Sequence, residues 1–297
     1  MAYLIATASW LILAINTVVC CTLVVLIYFL RLLSPLKTLR DFLNHIMIRI
    51  AETWVDINSW MMKNFYDVQW NIKGVEGLRK NASYLVICNH QTVMDTVFAQ
   101  KALAHRIPFL RFFMKQELIF VPFLGFAWIA LDFPRMKRHS KEYLAKHPEK
   151  RGEDLETTRK FCARLIGKPI SVLNFLEGTR STAAKRAKQQ SPYKHLLKPK
   201  VGGLAFVLEA MGEQFRSMID VTFFYPQGPP TLVDFMMGRT RVVDIDVREI
   251  PIPKDLLGGS YLNDEQHRAR MTEWTQKLWA EKEDLLEKKS REYGVKA

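Results

Sequence analysis

His90 and Asp95, in Asn89-His90-Gln91-Thr92-Val93-Met94-Asp95, are the residues whose types and spacing best suit chemistry. A histidine beside an ionised carboxylate has its tautomer fixed, its ring aimed and its conjugate acid stabilised, so it is fit to take a proton from an alcohol. Five positions along a continuous helix rotate by roughly 140°, which points the two side chains apart if both are helical. They meet if His90 lies in a strand-to-helix turn and Asp95 in the first helical turn. Thr92 supplies the start signal, since Thr-x-x-Asp is a capping-box pattern with an acid in place of the usual Glu. Asp95 as a plain helix cap and His90 as an ordinary loop residue fit the same spacing, and capping is compatible with catalysis. Gly-x-Ser-x-Gly is absent from the chain, so direct attack by a substrate hydroxyl is simpler than a covalent intermediate on a serine.

A second cluster is Asn174-Phe175-Leu176-Glu177-Gly178-Thr179-Arg180-Ser181, at the end of a β-like run, where the loops of an α/β sheet collect ligands. Gly178 lets backbone approach a ligand closely, and Arg180 offers a planar fork matched to a phosphate. A plain surface turn has the same composition. Residues 181–200 then carry Lys185, Arg186, Lys188, Lys194, Lys198 and Lys200 with no acid. Such a run is a solvated loop or, beside a membrane, an attractor of anionic headgroups or a phosphorylated carrier. A third stretch runs from Lys115 to Arg138. Its apolar part, 118–131, is too short for a standard spanning helix and suits either core or the lining of an acyl-chain tunnel. Lys115, Arg135, Lys137 and Arg138 flank it.

The elements that must position these residues are legible from periodicity. Strands are expected at 68–73, 84–88, 170–175, 219–224 and 242–247, each rich in β-branched and aromatic residues. Helices are expected at 92–104, 141–145, 155–166 and 204–211. This alternation predicts an α/β fold with one mixed, mostly parallel sheet flanked by helices. The catalytic domain is placed at 67–255, with a C-terminal segment at 256–297. That segment holds a charged helix, 264–292, with an apolar stripe of Met271, Trp274, Leu278 and Leu285.

Ahead of the domain, the first 30 residues carry no charged side chain, and the run beginning at Trp10 is apolar apart from Asn16, Thr17 and Thr22. Residues 1–33 are therefore expected to be a membrane anchor helix, either crossing the bilayer or lying partly in one leaflet. It lacks the basic start and the cleavage site of a secretory signal. Arg31, Lys37, Arg40 and Arg49 follow it, which puts the rest of the chain on the cytosolic side of a cytoplasmic membrane. Residues 34–66 form an amphipathic linker helix with Leu36, Leu39, Leu43, Ile46, Ile50, Trp54, Ile57 and Met61 on one face. Core packing and membrane contact are equally open to that face.

The chain has 297 residues, of which 48% are hydrophobic and 25% charged, enough to bury a substantial core, and its net charge of +13 calls for an anionic partner. Aromatics interleaved with basic residues on an exposed sheet are not apparent, which argues against nucleic acid. Its four cysteines have neither disulfide-framework nor metal-ligand spacing, and a reducing setting fits them best.

In this order the motifs resemble those of the glycerol-3-phosphate and lysophosphatidate acyltransferase family. Residues 89–95 are similar to its first motif, Asn-His-x-Ser-x-x-Asp, with Thr92 for Ser. Residues 175–181 resemble its third, Phe-Pro-Glu-Gly-Thr-Arg-Ser, with Leu176 for Pro. Val221-Thr222-Phe223-Phe224-Tyr225-Pro226 is similar to its fourth, a strand closing with proline. The basic loop before Lys198-Pro199-Lys200 resembles the lysocardiolipin-type branch and its bacterial inner-membrane relatives. The second motif, Gly-x-x-Phe-Ile-x-Arg, is replaced by 131–135 and the basic cluster beyond it.

The resemblance implies that His90 is the base and Asp95 its partner, and that Glu177, Gly178, Thr179 and Arg180 hold the glycerol phosphate. Lys200, Lys115, Arg135 and Arg138 join them as substrate-binding candidates. The implied reaction moves a fatty acyl group from acyl-CoA or acyl carrier protein to the free hydroxyl of 1-acyl-glycerol-3-phosphate on an anionic phospholipid membrane. It needs no metal and no resident cofactor. Acylation of another lysophospholipid headgroup is the nearest variant, and a non-catalytic membrane scaffold is the alternative of a different class.

Overall fold

All five expected strands are present in the computed structural model, which describes residues 2–136, 147, 156, 165 and 167–295. In chain order the strands are β1 (Gln69–Lys73), β2 (Tyr84–Cys88), β3 (Leu110–Phe112), β4 (Met114–Lys115), β5 (Arg135–Met136), β6 (Ser171–Phe175), β7 (Ser217–Phe224) and β8 (Val242–Ile250). Strands β3 to β5 are additions, each too short to show an alternating pattern. The helices are α1 (Ala2–Leu33), α2 (Lys37–Asn64), α3 (Met94–Leu103), α4 (Leu124–Ala130), α5 (Ala183–Lys188), α6 (Val201–Met211), α7 (Leu232–Met236) and α8 (Glu265–Glu292). The helices expected at 141–145 and 155–166 fall outside the described residues, apart from positions 156 and 165.

Six strands form one sheet in the order β1-β8-β7-β2-β6-β3. Every pairing is parallel except β7 with β8, so the sheet is mixed and mostly parallel. All five residues of β2 and all eight of β7 are buried, as strands are when both faces of their sheet are covered. The two-residue period of β2 divides the core. Tyr84, Val86 and Cys88 pack with Phe98 and Leu103 of α3, while Leu85 and Ile87 pack with Leu204 of α6 and Trp279 of α8.

The buried face of α8 differs from the expected stripe. Met271 and Leu278 are buried, but Trp279 and Leu286 replace Trp274 and Leu285, and Lys282, Glu283 and Lys289 are buried beside them. Acids on the sheet explain this: Lys282 pairs with Asp220 at 2.6 Å, and Lys289 with Asp244 at 2.6 Å. A hydrophobic pattern does not register charges that are buried in pairs.

Helices α1 and α2 form a hairpin. Asn16 of α1 donates to the Trp54 carbonyl and to Asn58 Oδ1, each at 3.1 Å, and Trp54 Nε1 donates to Thr17. The face of α2 that is buried is Met47, Ala51, Val55, Asn58 and Met62. Of the expected stripe only Met61 is buried, whereas Leu36 and Leu39 remain exposed. Small and polar side chains thus share the buried face with three methionines, while Leu36, Leu39 and Phe42 stay exposed. Helix α1 is long and apolar enough to cross a bilayer. It nevertheless lies along the α/β domain, with Ile5, Ile12 and Leu13 on the α3 side of the core and Cys21 and Val24 against α4.

Candidate active site

Register brings the two principal motifs together. Cys88, the last residue of β2, pairs with Phe175 of β6 and Val221 of β7, so the segments beginning at Asn89 and Leu176 leave adjacent strands at the same level. Asn89 extends the ladder with its side chain, donating to the Phe223 carbonyl at 2.9 Å and accepting from the Phe223 amide at 2.8 Å. The backbone is thereby free to turn away at His90. The His90 carbonyl accepts from the Ser181 amide at 2.6 Å, which ties the two loops to each other.

His90 Nδ1 lies 2.8 Å from Asp95 Oδ2. The same oxygen accepts from the amides of Gln91 at 2.6 Å and Thr92 at 2.9 Å, and Tyr225 donates its hydroxyl to Oδ1 at 2.5 Å. Asp95 is fully buried. A carboxylate held this way accepts the Nδ1 proton and leaves the lone pair on Nε2. Phe175 stacks on the imidazole with centroids 3.9 Å apart, fixing the ring plane. The capping box expected from Thr92 is half-formed. Asp95 reaches back to two amides, but Thr92 donates its hydroxyl to the Pro230 carbonyl, and Val93 is the N-cap of α3 with no side-chain bond.

Glu177 is placed off the cavity wall: it is fully buried, and its oxygens accept the amides of His90 at 3.0 Å and Leu197 at 3.2 Å. Burial is the main cause that pushes its carboxyl up to about 8. Its place is behind the histidine, joining the first motif to the basic loop. Gly178 has φ +68° and donates its amide to the Phe175 carbonyl at 2.9 Å, a turn that disfavours a Cβ.

Thr179 and Arg180 follow on the wall of a cavity of about 610 Å³ that also includes His90, Lys115 and Lys185. Lys185 donates to Thr179 Oγ1 at 2.8 Å and to the Arg180 carbonyl at 2.9 Å. Lys200 and Arg135 are not on that wall: Lys200 caps α6, with its amide bonded to the Leu176 carbonyl, and Arg135 sits in β5 beside Met114. Arg138 lies outside the described residues.

Much of the remaining lining is apolar. Leu118, Leu124, Trp128 and Leu131 line it, as do Cys20 and Val24 of α1. The 118–131 run thus serves both as core, through Ala127, Ala130 and Leu131, and as cavity wall. The arrangement puts His90, the cations Lys115, Arg180 and Lys185, and many apolar side chains on the wall of one cavity, which suits proton removal from an alcohol on an amphipathic anion. Sequence reasoning quoted Tyr225 only as part of a strand closing with proline and gave it no role, and it singled out Lys185 only as one of a run.

A family model described as Acyltransferase matches residues 69–225. The chain is 25% identical over 292 residues to a 2-acyl-1-lysophosphatidylinositol acyltransferase of Saccharomyces cerevisiae, covering 82% of this chain and 70% of that one. It is 28% identical over 184 residues to a 1-acyl-sn-glycerol-3-phosphate acyltransferase gamma of Homo sapiens, covering 58% of this chain and 44% of that one, less than half the human protein. The crystal structure of the 1-acyl-sn-glycerophosphate (LPA) acyltransferase of Thermotoga maritima superposes with a TM-score of 0.54 at 15% identity, over 94% of this chain and 96% of that one. That likeness is one of fold.

Proposed function

Because the chain belongs to the acyltransferase family, we propose that it transfers a fatty acyl group from acyl-CoA or acyl carrier protein to the free hydroxyl of 1-acyl-glycerol-3-phosphate. The observation that carries this is the meeting, on one cavity wall, of His90 paired to Asp95, the cations Arg180, Lys185 and Lys115, and an apolar chamber. The phosphate sits toward the cations and an acyl chain toward Trp128 and Val24. His90 Nε2 removes the proton of the acceptor hydroxyl, and the oxygen attacks the thioester carbonyl carbon. The C–S bond breaks, and the departing thiolate takes the proton back from the imidazolium, leaving a new ester and a free thiol. Asp95 stabilises the imidazolium between those two transfers.

A second acceptor class has a specific observation behind it. The relative named for lysophosphatidylinositol aligns over more of this chain than the one named for 1-acyl-sn-glycerol-3-phosphate, so a larger headgroup on the same phosphate is the alternative.

The packing of α1 supports a membrane reading. A helix that lies along the domain from Ile5 to Val24 favours a place in one leaflet over a crossing, since a crossing would draw that domain in. The α1–α2 hairpin would then turn its exposed Leu11, Ile15, Leu26 and Phe29 toward lipid, with the exposed Phe120 and Phe126 available to the same surface. The α/β domain then faces the cytosol, with its basic residues at the anionic headgroups.

The test is acyl transfer by purified protein in mixed micelles, wild type beside His90→Ala, with lysophosphatidate and lysophosphatidylinositol and both donors. Product from lysophosphatidate, lost by about 10²-fold or more in the variant, supports the proposal. Product from lysophosphatidylinositol alone selects the second acceptor, and undiminished activity in the variant removes His90 as base.

A further inference from the structure

The carboxylate of Asp95 divides its work between its two oxygens. Oδ2 receives His90 Nδ1 and the amides of Gln91 and Thr92, whereas Oδ1 receives the Tyr225 hydroxyl at 2.5 Å. Tyr225 is buried, and Phe98 and Phe223 pack beside its ring, each with its centroid 6.3 Å away, the second parallel to it. The strand end fixes the backbone as well, since Pro226 follows immediately. Burial and these ring contacts hold the hydroxyl against the carboxylate. Burial and the neighbouring Asp95 push the phenol well above its ordinary range, so it stays a donor throughout the working pH range.

We propose that Tyr225 is a positioning residue for the His90–Asp95 pair. Its hydroxyl selects the Asp95 rotamer that meets His90 Nδ1 and, by drawing on the carboxylate's charge, limits how strongly Asp95 holds a proton on the imidazole. This rests on His90 being the base.

The physical consequence is directional. A hydrogen bond to an anion lowers its basicity, so removing the tyrosine hydroxyl strengthens the attraction between Asp95 and imidazolium. His90 then stays protonated to higher pH, and the acid limb of the pH–rate profile moves in the alkaline direction. The other ionisable groups around the pair are Cys88 at the end of β2, Glu177 after β6, Lys282 of α8 with its partner Asp220, and Lys115, Arg180 and Lys185 on the cavity wall beside His90. Tyr225→Phe replaces none of them, and Cys88 is the one whose charge bears on the phenol.

The experiment compares kcat/KM from pH 5 to 9 for wild type, Tyr225→Phe and His90→Ala, with lysophosphatidate in phospholipid vesicles and acyl-CoA. Tyr225→Phe should fall about tenfold at neutral pH, with its acid limb moved up by about half a unit to one unit, a fraction of the one to two units that a charged hydrogen bond represents at the carboxylate itself. Incorporating 3-fluorotyrosine at position 225 keeps the shape and strengthens the donor, so the limb should move down, and this holds as a test even if the Phe variant folds poorly. A lower plateau with an unmoved limb in both variants would mean that Tyr225 only packs, and would overturn the inference. Full activity in His90→Ala would instead overturn the base assignment.

Discussion

Glu177→Gln separates the charge of a buried carboxyl from its shape. Burial, outweighing the two amide hydrogen bonds that favour the charged form, raises the Glu177 pKa from 4.5 to about 8. Below pH 4.5 the group is protonated in both folded and unfolded chains, and above 8 it is ionised in both. Between those values the unfolded chain releases the proton while the folded chain keeps it. The unfolded state then binds fewer protons, so stability falls as pH rises through the window. With those two pKa values the linkage gives a loss of about 2.5 kcal/mol between pH 5 and pH 7. At roughly 2 °C per kcal/mol for a chain of this size, that is about 5 °C in melting temperature. Glutamine has no proton to release, so the variant lacks this slope. Its NH₂ also faces a backbone donor, either His90 or Leu197, at a cost of about 1–3 kcal/mol. Thermal unfolding of both proteins in the same micelles, at half-unit steps from pH 5 to 8, gives the difference curve in which other titrating groups cancel. The wild-type advantage should be largest at pH 5 and shrink by about 5 °C by pH 7. A difference that does not change with pH would refute the claim that burial keeps this carboxyl protonated.

Two further outcomes follow from the geometry. Replacing Arg180 and Lys185 singly with Ala should raise KM for lysophosphatidate by about 10- to 100-fold, the worth of a charged hydrogen bond. Monoacylglycerol, which has no phosphate, should be used as before, and an equal loss on both acceptors would refute the phosphate role. Lys282→Ala leaves Asp220 buried with only the half-exposed Arg248 as cation and should cost about 3 kcal/mol; an unchanged melting temperature would show that the buried pair contributes nothing net.

The sheet was legible because a covered parallel strand is apolar at nearly every position, as in Tyr84–Cys88, and helices separate such strands at regular intervals. The buried faces of α2 and α8 were not. In α2 the packing residues include Ala51, Val55 and Asn58 beside Met47, Met61 and Met62, a face shifted from the expected stripe, most of which is half-buried or exposed; the hydrophobic period alone does not single out the face that meets α1. In α8, Lys282 and Lys289 are inside because Asp220 and Asp244 are there to meet them. Those partners are 62 and 45 residues earlier in the chain. Their meeting is decided by strand order, which no local pattern contains.

At the site the same distinction separates what spacing reveals from what register decides. The His-x4-Asp spacing was sufficient for His90 and Asp95 because both lie within one strand-to-helix turn. Glu177 was offered as a ligand by the motif resemblance alone, and the register of β2 with β6 puts its carboxyl against the His90 amide. From there the bonding continues to α8: Glu177 accepts from the Leu197 amide, and the Leu197 carbonyl accepts Trp279 Nε1 at 2.9 Å. Glu283, one turn on, accepts the Lys194 and His195 amides of the same loop at 2.7 and 3.0 Å. The C-terminal helix thus holds the basic loop, the loop holds Glu177, and Glu177 holds the backbone of His90. On its other side Tyr225 holds Asp95, which holds the ring. If His90 acts as the proposed base, a ring fixed from two directions by buried groups gives up little orientational freedom when an acceptor hydroxyl arrives, and Nε2 is the nitrogen left to meet it.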